Sequence, residues 1–407
     1  MTTTDEWLSA ASEIDLADPL LYTGERPERI WRTLRSAGEP LRAGGDPGYW
    51  VMTRYEDVAA VYRNGSLFSS EKGMQLGLDR SAAEAAAEAA AGRMLIVTDD
   101  PRHAEIRRAI GAAFTPKMLR RLEDRTTAVA HRLVAGAATG ETIDFVEEVA
   151  ARLPATVICE LIGVPDADRD HVTETTQAAF GGATGDPTAT QVAAHAELFD
   201  YCDHLVTLKR REPADDVATA LANATVEGTP MSQEVAVLNC HGLISGGNET
   251  TRHASSTTAL TLLTAPDQWD LLRAGQVGPD DAAEELLRFS SPANHVLRVA
   301  TRDQRIGSVT VSAGEYVTLW LGSANHDEDV FDAPDRLRFS RHPNRHVTFG
   351  LGSHFCLGAF LARMELRALV RALAEMGVTI EPRGVPHRLA SNFLRGYTSM
   401  PLALIRR

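Results

Sequence analysis

Cys356 lies in a glycine-rich segment, FGLGSHFCLG, directly before a helical pattern. Gly352 and Gly358 permit a positive φ and a close approach of a flat ligand to the backbone. Backbone N–H groups of the turn and of the next helix can point at the sulfur, which favours a thiolate. Taken alone, the segment fits either a thiolate ligand or a structural cysteine in a turn, of which the structural cysteine is the more common.

The composition narrows the class of protein. The chain has 407 residues and a net charge of −14, and this acidic excess disfavours a general nucleic-acid-binding protein. The chain shows no secretory leader and no apolar run of about 18 residues, so we expect a cytoplasmic protein with no membrane anchor. The spacing of Cys159, Cys202 and Cys240 fits neither a zinc site nor a disulfide framework, which predicts three small buried side chains.

Glu249 and Thr250 follow a glycine pair, Gly246-Gly247, in the middle of a long helical pattern. Each glycine costs about 1 kcal/mol relative to alanine inside a helix, and such a pair favours a local distortion. Thr250 is four residues after Gly246, so its hydroxyl is expected to face the same groove. The alternative is a packing notch between crossing helices.

Two other pairs have the spacing of one helical turn. Glu285 and Arg288 can form an ion pair or share a third partner, although exposed pairs of this kind contribute only about 0.3–0.5 kcal/mol. His103 and Arg107 are four residues apart on one predicted helix, so both can face the same anion.

The cysteine segment resembles the haem-binding signature of the cytochrome P450 family, FxxGxxxCxG, and matches it at Phe349, Gly352, Cys356 and Gly358. The resemblance implies one domain, residues 1–407, that is mainly α with a minor β region. The family fold is a triangular helical prism in which a long central helix crosses over the haem. The resemblance also implies haem b, with Cys356 as the thiolate ligand of its iron, and O₂ as a co-substrate.

The same resemblance implies roles for the other motifs. Four basic residues match the partners of the haem propionates: His103, Arg107, Arg298 and His354. Glu249 and Thr250 match an acid–alcohol pair that delivers protons to dioxygen, beside a groove at Gly246 and Gly247. Three residues match the buried ion-pair motif of the family: Glu285, Arg288 and Arg341.

Substrate contacts are implied by the resemblance at about residues 70–95, 170–185, 242–250, 292–297 and 391–396. The candidate lining residues are Met74, Leu76, Leu243, Gly246, Ala293, Asn294, Val296, Phe393 and Leu394. Asn294 and His295 indicate either polar recognition of a substrate or hydrogen bonds to the backbone.

The activity implied is that of a haem-thiolate monooxygenase that hydroxylates a small organic molecule with O₂ and two electrons. The chain has no GxGxxG after a strand and no iron–sulfur cysteine spacing, so NAD(P)H is expected to supply electrons through a separate ferredoxin and ferredoxin reductase. A basic segment could steer the acidic partner. It contains Arg102, Arg107, Arg108, Lys117, Arg120, Arg121 and Arg125.

The run GGNETTRHA is similar to that of actinobacterial enzymes, which favours a tailoring step of specialised metabolism. The substrate would be a polyketide, an amino acid or a precursor bound to a carrier protein. Alternatives within the family are a steroid, terpenoid or fatty-acid hydroxylase, and a peroxygenase or decarboxylase that uses H₂O₂. A non-catalytic haem protein is the alternative from another class.

The elements that must position these residues are mostly helices. Helical patterns are predicted at 28–36, 55–64, 101–114, 117–136, 142–162, 166–180, 190–211, 215–224, 232–265, 267–274, 279–289 and 357–376. Short strands are predicted at 49–52, 296–300, 308–311, 316–319, 378–382 and 400–405. The alanine-rich stretch 80–92 has little apolar surface, which predicts a surface helix or a lid.

Overall fold

The computed structural model describes residues 15–24, 27–44, 48–77, 88–180 and 188–406. Most of the predicted surface helix or lid at 80–92 lies outside these ranges. Parts of the expected substrate-contact segments at 70–95 and 170–185 also lie outside them.

A helix of 32 residues, Gln233–Thr264, runs through the interior of the protein. It begins at Ser232, whose hydroxyl accepts a hydrogen bond from the Val235 N–H at 3.3 Å. It ends at Ala265, because Pro266 cannot continue a helix and instead begins the next one. Side chains all around its second half are buried, as expected of a helix enclosed on every side.

The helices of the described residues are numbered in chain order. They are α1 (Pro27–Ser36), α2 (Tyr55–Arg63), α3 (Arg102–Gly111), α4 (Pro116–Ala137), α5 (Arg152–Ile162), α6 (Arg169–Phe180), α7 (Ala189–Arg211), α8 (Val217–Ala222), α9 (Gln233–Thr264), α10 (Pro266–Arg273), α11 (Pro279–Ser290), α12 (Leu321–Ala324) and α13 (Ala359–Glu375).

The strands are shorter and are numbered in the same way. They are β1 (Leu41–Ala43), β2 (Tyr49–Met52), β3 (Phe68–Ser69), β4 (Ile143–Asp144), β5 (Thr225–Val226), β6 (Thr229–Pro230), β7 (His295–Ala300), β8 (Gln304–Ile306), β9 (Val309–Val311), β10 (Tyr316–Trp320), β11 (Val378–Pro382), β12 (His387–Arg388), β13 (Tyr397–Ser399) and β14 (Pro401–Arg406).

The main apolar core surrounds α9, which packs against α5, α7, α11 and α13. A mixed sheet with the strand order β1-β2-β10-β7-β3 covers a second, smaller core. In this sheet β10 pairs with β2 in parallel and with β7 in antiparallel orientation. The helices and the sheet meet where β7 follows α11, which brings the expected propionate partner Arg298 towards the cysteine turn.

The predicted helix at 142–162 is divided in the structure. Residues Ile143–Asp144 form β4 and pair with β14, a π-helical segment follows at Val146–Ala150, and only Arg152–Ile162 is α-helical. Asp144 explains the break, because its carboxylate accepts hydrogen bonds from the N–H groups of Val146 at 2.9 Å and Met400 at 3.0 Å. A tertiary contact therefore outweighs the helical pattern at this point.

Candidate functional site

The Cys356 turn is built from backbone geometry that depends on glycine. Gly350 and Gly352 have φ of +65° and +72°, in the left-handed region. The Cys356 N–H donates to the Phe349 carbonyl oxygen at 2.9 Å, which closes the turn. Gly358 has φ of −85° and directly precedes helix α13, so the positive φ that glycine permits occurs at Gly352 and not at Gly358.

The Cys356 thiol lies in a recess. It is the exposed cysteine of the four, whereas Cys159, Cys202 and Cys240 are buried and all four are free thiols. Protein packed around the other sides of the sulfur raises its pKa by desolvation, while the Gly358 N–H, Arg107 and Arg363 act to lower that pKa. These three groups can stabilise a thiolate once a bound ligand has displaced water from the sulfur.

Four basic side chains converge beside the turn: His103, Arg107, Arg298 and His354. The rings of His103 and His354 stack with centroids 4.1 Å apart. Burial, followed by the charges of Arg298, His103 and Arg107, lowers the pKa of His354 to about 3. Arg298 is also buried, which lowers its pKa. Arg107 and Arg298 supply the positive charge here, because the lowered pKa values of His103 and His354 leave both imidazoles neutral near pH 7. Asp100, 3.2 Å from His103, is half exposed at the edge of the cluster.

These observations test whether the residues fit a haem. An accessible thiol can bind the iron, and the two guanidinium groups and two imidazoles beside it can bind two carboxylates. The thiol and the basic side chains border the same turn, so these residues fit a haem.

Gly246 and Gly247 have different surroundings, which separates the two interpretations of the glycine pair. A Cβ on Gly246 would meet no described atom within 4 Å, whereas a Cβ on Gly247 would meet Ile158 Cδ1 at 2.7 Å. The Thr250 hydroxyl donates to the Gly246 carbonyl oxygen at 2.8 Å. Gly246 and Thr250 thus border open space, and Gly247 is a packing notch against α5. Helix α9 continues through both glycines without interruption.

Glu249 faces a different set of groups from Thr250. Its side chain is buried, with one carboxylate oxygen 3.4 Å from Arg252 Nη1 and the other 3.6 Å from His253 Nε2. Asn248 Nδ2 donates weakly to the first oxygen at 3.4 Å. The second oxygen has no hydrogen-bond partner among the described residues.

Glu285 forms the centre of a fully buried ion-pair network. Its carboxylate accepts two hydrogen bonds from Arg288, both at 2.9 Å, and contacts Arg341 Nε at 3.1 Å. The Arg338 N–H and Asn344 Nδ2 add hydrogen bonds at 3.0 and 3.1 Å. The structure thus brings all three predicted members of this motif together.

The candidate substrate-contact residues lie on α9 and on three segments that backbone hydrogen bonds join. The Leu297 N–H donates to the Met74 carbonyl at 2.9 Å, and the Asn294 N–H donates to the Phe393 carbonyl at 2.8 Å. An isolated bridge pairs Ala293 with Leu394. Leu76 packs towards the apolar cluster formed with the N-terminal segment. The half-buried candidates are Met74, Leu76, Leu243, Ala293, Val296, Phe393 and Leu394.

Asn294 and His295 are occupied by the backbone. The Asn294 amide reaches the carbonyls of Ser391 and Leu394, both at 3.5 Å. His295 contacts the Asn392 carbonyl through Nδ1 at 3.1 Å and accepts from the Leu76 N–H through Nε2 at 2.9 Å. Of the two interpretations made from the sequence, the structure therefore shows the hydrogen bonds to the backbone.

Three residues at the site had no assigned role in the sequence. Tyr62 lies under Arg298, with the guanidinium 5.9 Å from the ring centroid, and Ser70 Oγ is 3.3 Å from His354 Nε2. Arg363 lies over the Phe349 ring at 4.5 Å. Only Arg363 had a local signal, since it is on the helix that follows the cysteine; Tyr62 and Ser70 are about 300 residues away in sequence.

Comparison with known proteins decides the family. The family model "Cytochrome P450" matches residues 280–389. The cytochrome P450 NovI of Streptomyces niveus is 35% identical over 401 residues, which is 97% of each chain. The chain belongs to the cytochrome P450 family.

Further relatives agree with this assignment. A steroid C26-monooxygenase of Rhodococcus jostii is 34% identical over 94% of this chain and 83% of that protein. The solved structure of P450 OxyD, involved in the biosynthesis of vancomycin-type antibiotics, has a TM-score of 0.88 and 35% identity, and the match covers 97% of this chain and 100% of that chain.

The comparisons confirm the predicted fold class, mainly α with a minor β region in the cytochrome P450 fold, and a P450 monooxygenase activity. Family membership also implies haem and O₂-dependent monooxygenation. In the part of the chain that the structure describes, no helix has the length and apolarity to cross a membrane.

Replacing Glu285 by glutamine is expected to reduce the free energy of unfolding by about 3–5 kcal/mol, because it leaves Arg288 and Arg341 buried without their counter-charge. Urea unfolding of the two proteins measures the difference. Glu284→Gln is the matched control: Glu284 is adjacent in sequence but lies nearer the surface, where it pairs with Arg363 and His346. It should cost about 1 kcal/mol or less. Equal losses in the two variants would contradict the prediction.

Proposed function

We propose that this P450 uses Cys356 as the thiolate ligand of haem b and hydroxylates a precursor of specialised metabolism. The observation that carries the proposal is the position of the exposed thiol, in a recess bordered by four converging basic side chains. A structural cysteine would have no need of two arginines and two histidines beside its turn.

The residues that hold the haem divide into two groups. Cys356 binds the iron, and the Gly358 N–H together with Arg107 and Arg363 stabilises the negative charge on the sulfur. Arg298, His103 and His354 bind the propionates together with Arg107.

When bound, the haem supplies the redox chemistry: O₂ and two electrons yield one oxygen atom in the substrate and one in water. The residues of α9 control protons and water. The Thr250 hydroxyl lies at the open edge beside Gly246 and can donate a proton there. Glu249 is the acid that replenishes it, held by Arg252 and His253.

This pair of groups supports a monooxygenase over the other activities considered. A peroxygenase receives its oxygen already reduced, and a non-catalytic haem protein has no proton to deliver. Neither has a use for a buried acid next to an alcohol that borders the open groove.

The electrons are proposed to arrive from NAD(P)H through a ferredoxin and its reductase, with the ferredoxin at the basic surface of α3 and α4. Within the described residues, Arg102 pairs with Glu227 and Arg121 with Glu160. Four exposed basic side chains form no ion pair in the described structure: Arg108, Lys117, Arg120 and Arg125. An acidic ferredoxin can bind these charges.

Charge reversal tests this surface. The double variant Lys117→Glu/Arg120→Glu is expected to raise the KM for ferredoxin several-fold at low salt and to converge on the wild type as salt screens the charges. Arg211→Glu, an exposed change on α7, is the control and should leave that KM unchanged. A KM that responds equally to both variants would place the ferredoxin elsewhere.

The substrate class is inferred from the relatives and from the apolar character of the contact residues. The similarity to OxyD, a protein of antibiotic biosynthesis, supports a tailoring hydroxylation of a polyketide, an amino acid or a carrier-bound precursor. The similarity to a steroid C26-monooxygenase supports steroid hydroxylation as the second candidate.

The spectrum of the reduced carbon monoxide complex tests the ligand. The wild type should show the thiolate-type Soret band, and Cys356→Ser should lose it, because serine provides no thiolate. Cys159→Ser, Cys202→Ser and Cys240→Ser are matched controls that should retain the band. An imidazole-type band in the wild type would refute the assignment.

The same haem, titrated with amino acids, aminoacyl carrier proteins, polyketides and steroids, should shift its spin state with one of the first three; a shift with steroids alone selects the second candidate.

Thr250→Ala is expected to lower coupling, the fraction of NAD(P)H recovered as product, by about tenfold or more, because the groove loses its hydroxyl donor. Product and NAD(P)H are measured together, and the substrate-induced spin shift should be retained. Thr251→Ala, at the next position, is the control. Unchanged coupling in Thr250→Ala would remove the hydroxyl from the mechanism.

A further inference from the structure

The imidazole of His253 is buried beside the acid of the proposed proton relay. His253 is 0% exposed, and its Nε2 lies 3.6 Å from Glu249, one helical turn earlier on α9. Neither ring nitrogen has a hydrogen-bond partner among the described residues. A buried polar ring without partners is costly, so its position next to Glu249 needs an explanation.

The second neighbour of His253 is the hairpin formed by β12 and β13. A Cβ built on Gly396 would overlap His253 at the ring atoms Nδ1 and Cγ and at Cβ. Gly396 has no positive φ, so its backbone does not require glycine. The absence of a side chain at position 396 therefore leaves room for the imidazole.

The charges around His253 come from its own helix. Burial lowers the pKa of His253, Arg252 lowers it further, and Glu249 opposes both effects. No other charged group in the described structure shifts this pKa. The neutral ring has one N–H to donate, and Glu249 offers the carboxylate oxygen that lacks a hydrogen bond.

We propose that His253 is a positioning residue for Glu249, which it holds at the second carboxylate oxygen while Gly396 provides the space for its ring. The inference rests on the proposed relay role of Glu249. Arg252 holds the first oxygen at 3.4 Å, and His253 therefore fixes the rotation of the carboxylate that Arg252 leaves free.

The loop of the same hairpin also carries residues of the proposed substrate pocket. Residues 391–396 carry Phe393 and Leu394 of the proposed substrate pocket as well as Gly396, and Asn294 and His295 anchor the segment. A displacement of the hairpin changes the room available to His253. The position of Glu249 thus depends on the position of residues 391–396.

A double-mutant cycle between His253 and Gly396 tests the proposal in the haem-loaded enzyme. His253→Ala, His253→Gly and Gly396→Ala should each lower coupling about threefold or more, whereas Gly396→Ala should add less than about twofold when His253 is already glycine. The thermal unfolding midpoint should follow the same pattern, because His253→Gly removes both the ring and the Cβ that the methyl group of Gly396→Ala would overlap. His253→Asn, which retains an N–H donor, should recover much of the coupling.

A control variant and the coupling of two other variants test the proposed role of His253. Ser255→Ala removes a buried hydroxyl with no described partner and should leave coupling unchanged. Additive effects of His253→Gly and Gly396→Ala would overturn the proposal, and so would wild-type coupling in His253→Ala when Glu249→Gln is impaired. Wild-type coupling in Glu249→Gln would overturn the proposed relay itself, and this inference with it.

Discussion

The carboxylate of Glu285 organises the half of the protein that supports the cysteine turn. A fully buried carboxylate is stable only when its oxygens are paired and hydrogen-bonded, and here α11 and the segment 338–344 provide all the donors. Arg288 extends the network to the Asn325 carbonyl, and the Asn325 side chain accepts from the Val347 N–H at 2.7 Å. The buried ion pairs of Glu285 therefore hold in place the segment that leads into the Cys356 turn. Rigidity of this kind suits the proposed thiolate ligand, whose sulfur must keep one position.

In α9, by contrast with the Glu285 network, several buried polar groups are left without hydrogen bonds. Asn248, Glu249, Arg252, His253 and Ser255 all have buried polar atoms without a hydrogen-bond partner in the described structure. Such groups are uncommon in folded proteins and concentrate where function requires them. A carboxylate with every lone pair occupied, as in Glu285, holds its neighbours but is poorly suited to exchange protons. Glu249 has one oxygen without a full hydrogen bond, which His253 approaches at 3.6 Å, and this suits its proposed role as a proton donor. Packing of the same helix against α5, α7, α11 and α13 offsets the cost of the unpaired groups.

The sequence predicted those parts of the site that depend on local spacing. The Cys356 segment, the pair of His103 and Arg107 and the pair of Glu285 and Arg288 each lie within one turn or one helix, so their geometry follows from periodicity. Tyr62 and Ser70 come from α2 and β3 and reach the site only through the sheet, which no local pattern records. The prediction of one continuous helix at 142–162 was wrong for the same reason. The hydrogen bonds that Asp144 accepts include one from the N–H of Met400, more than 250 residues away in sequence. Gly358 shows a further limit: glycine permits a positive φ but does not require one.

The proposed substrate pocket follows from how its polar residues are used. A buried asparagine or histidine can recognise a substrate only if its donors and acceptors are free, and those of Asn294 and His295 are engaged with the backbone of 391–394 and Leu76. Both side chains therefore act on the shape of the pocket by fixing the segment that carries Phe393 and Leu394. Selectivity at these positions depends on apolar fit, which discriminates only weakly between substrates that differ by one methylene. In the proposed pocket, a substrate with a polar or carrier-bound end would place that end away from this wall.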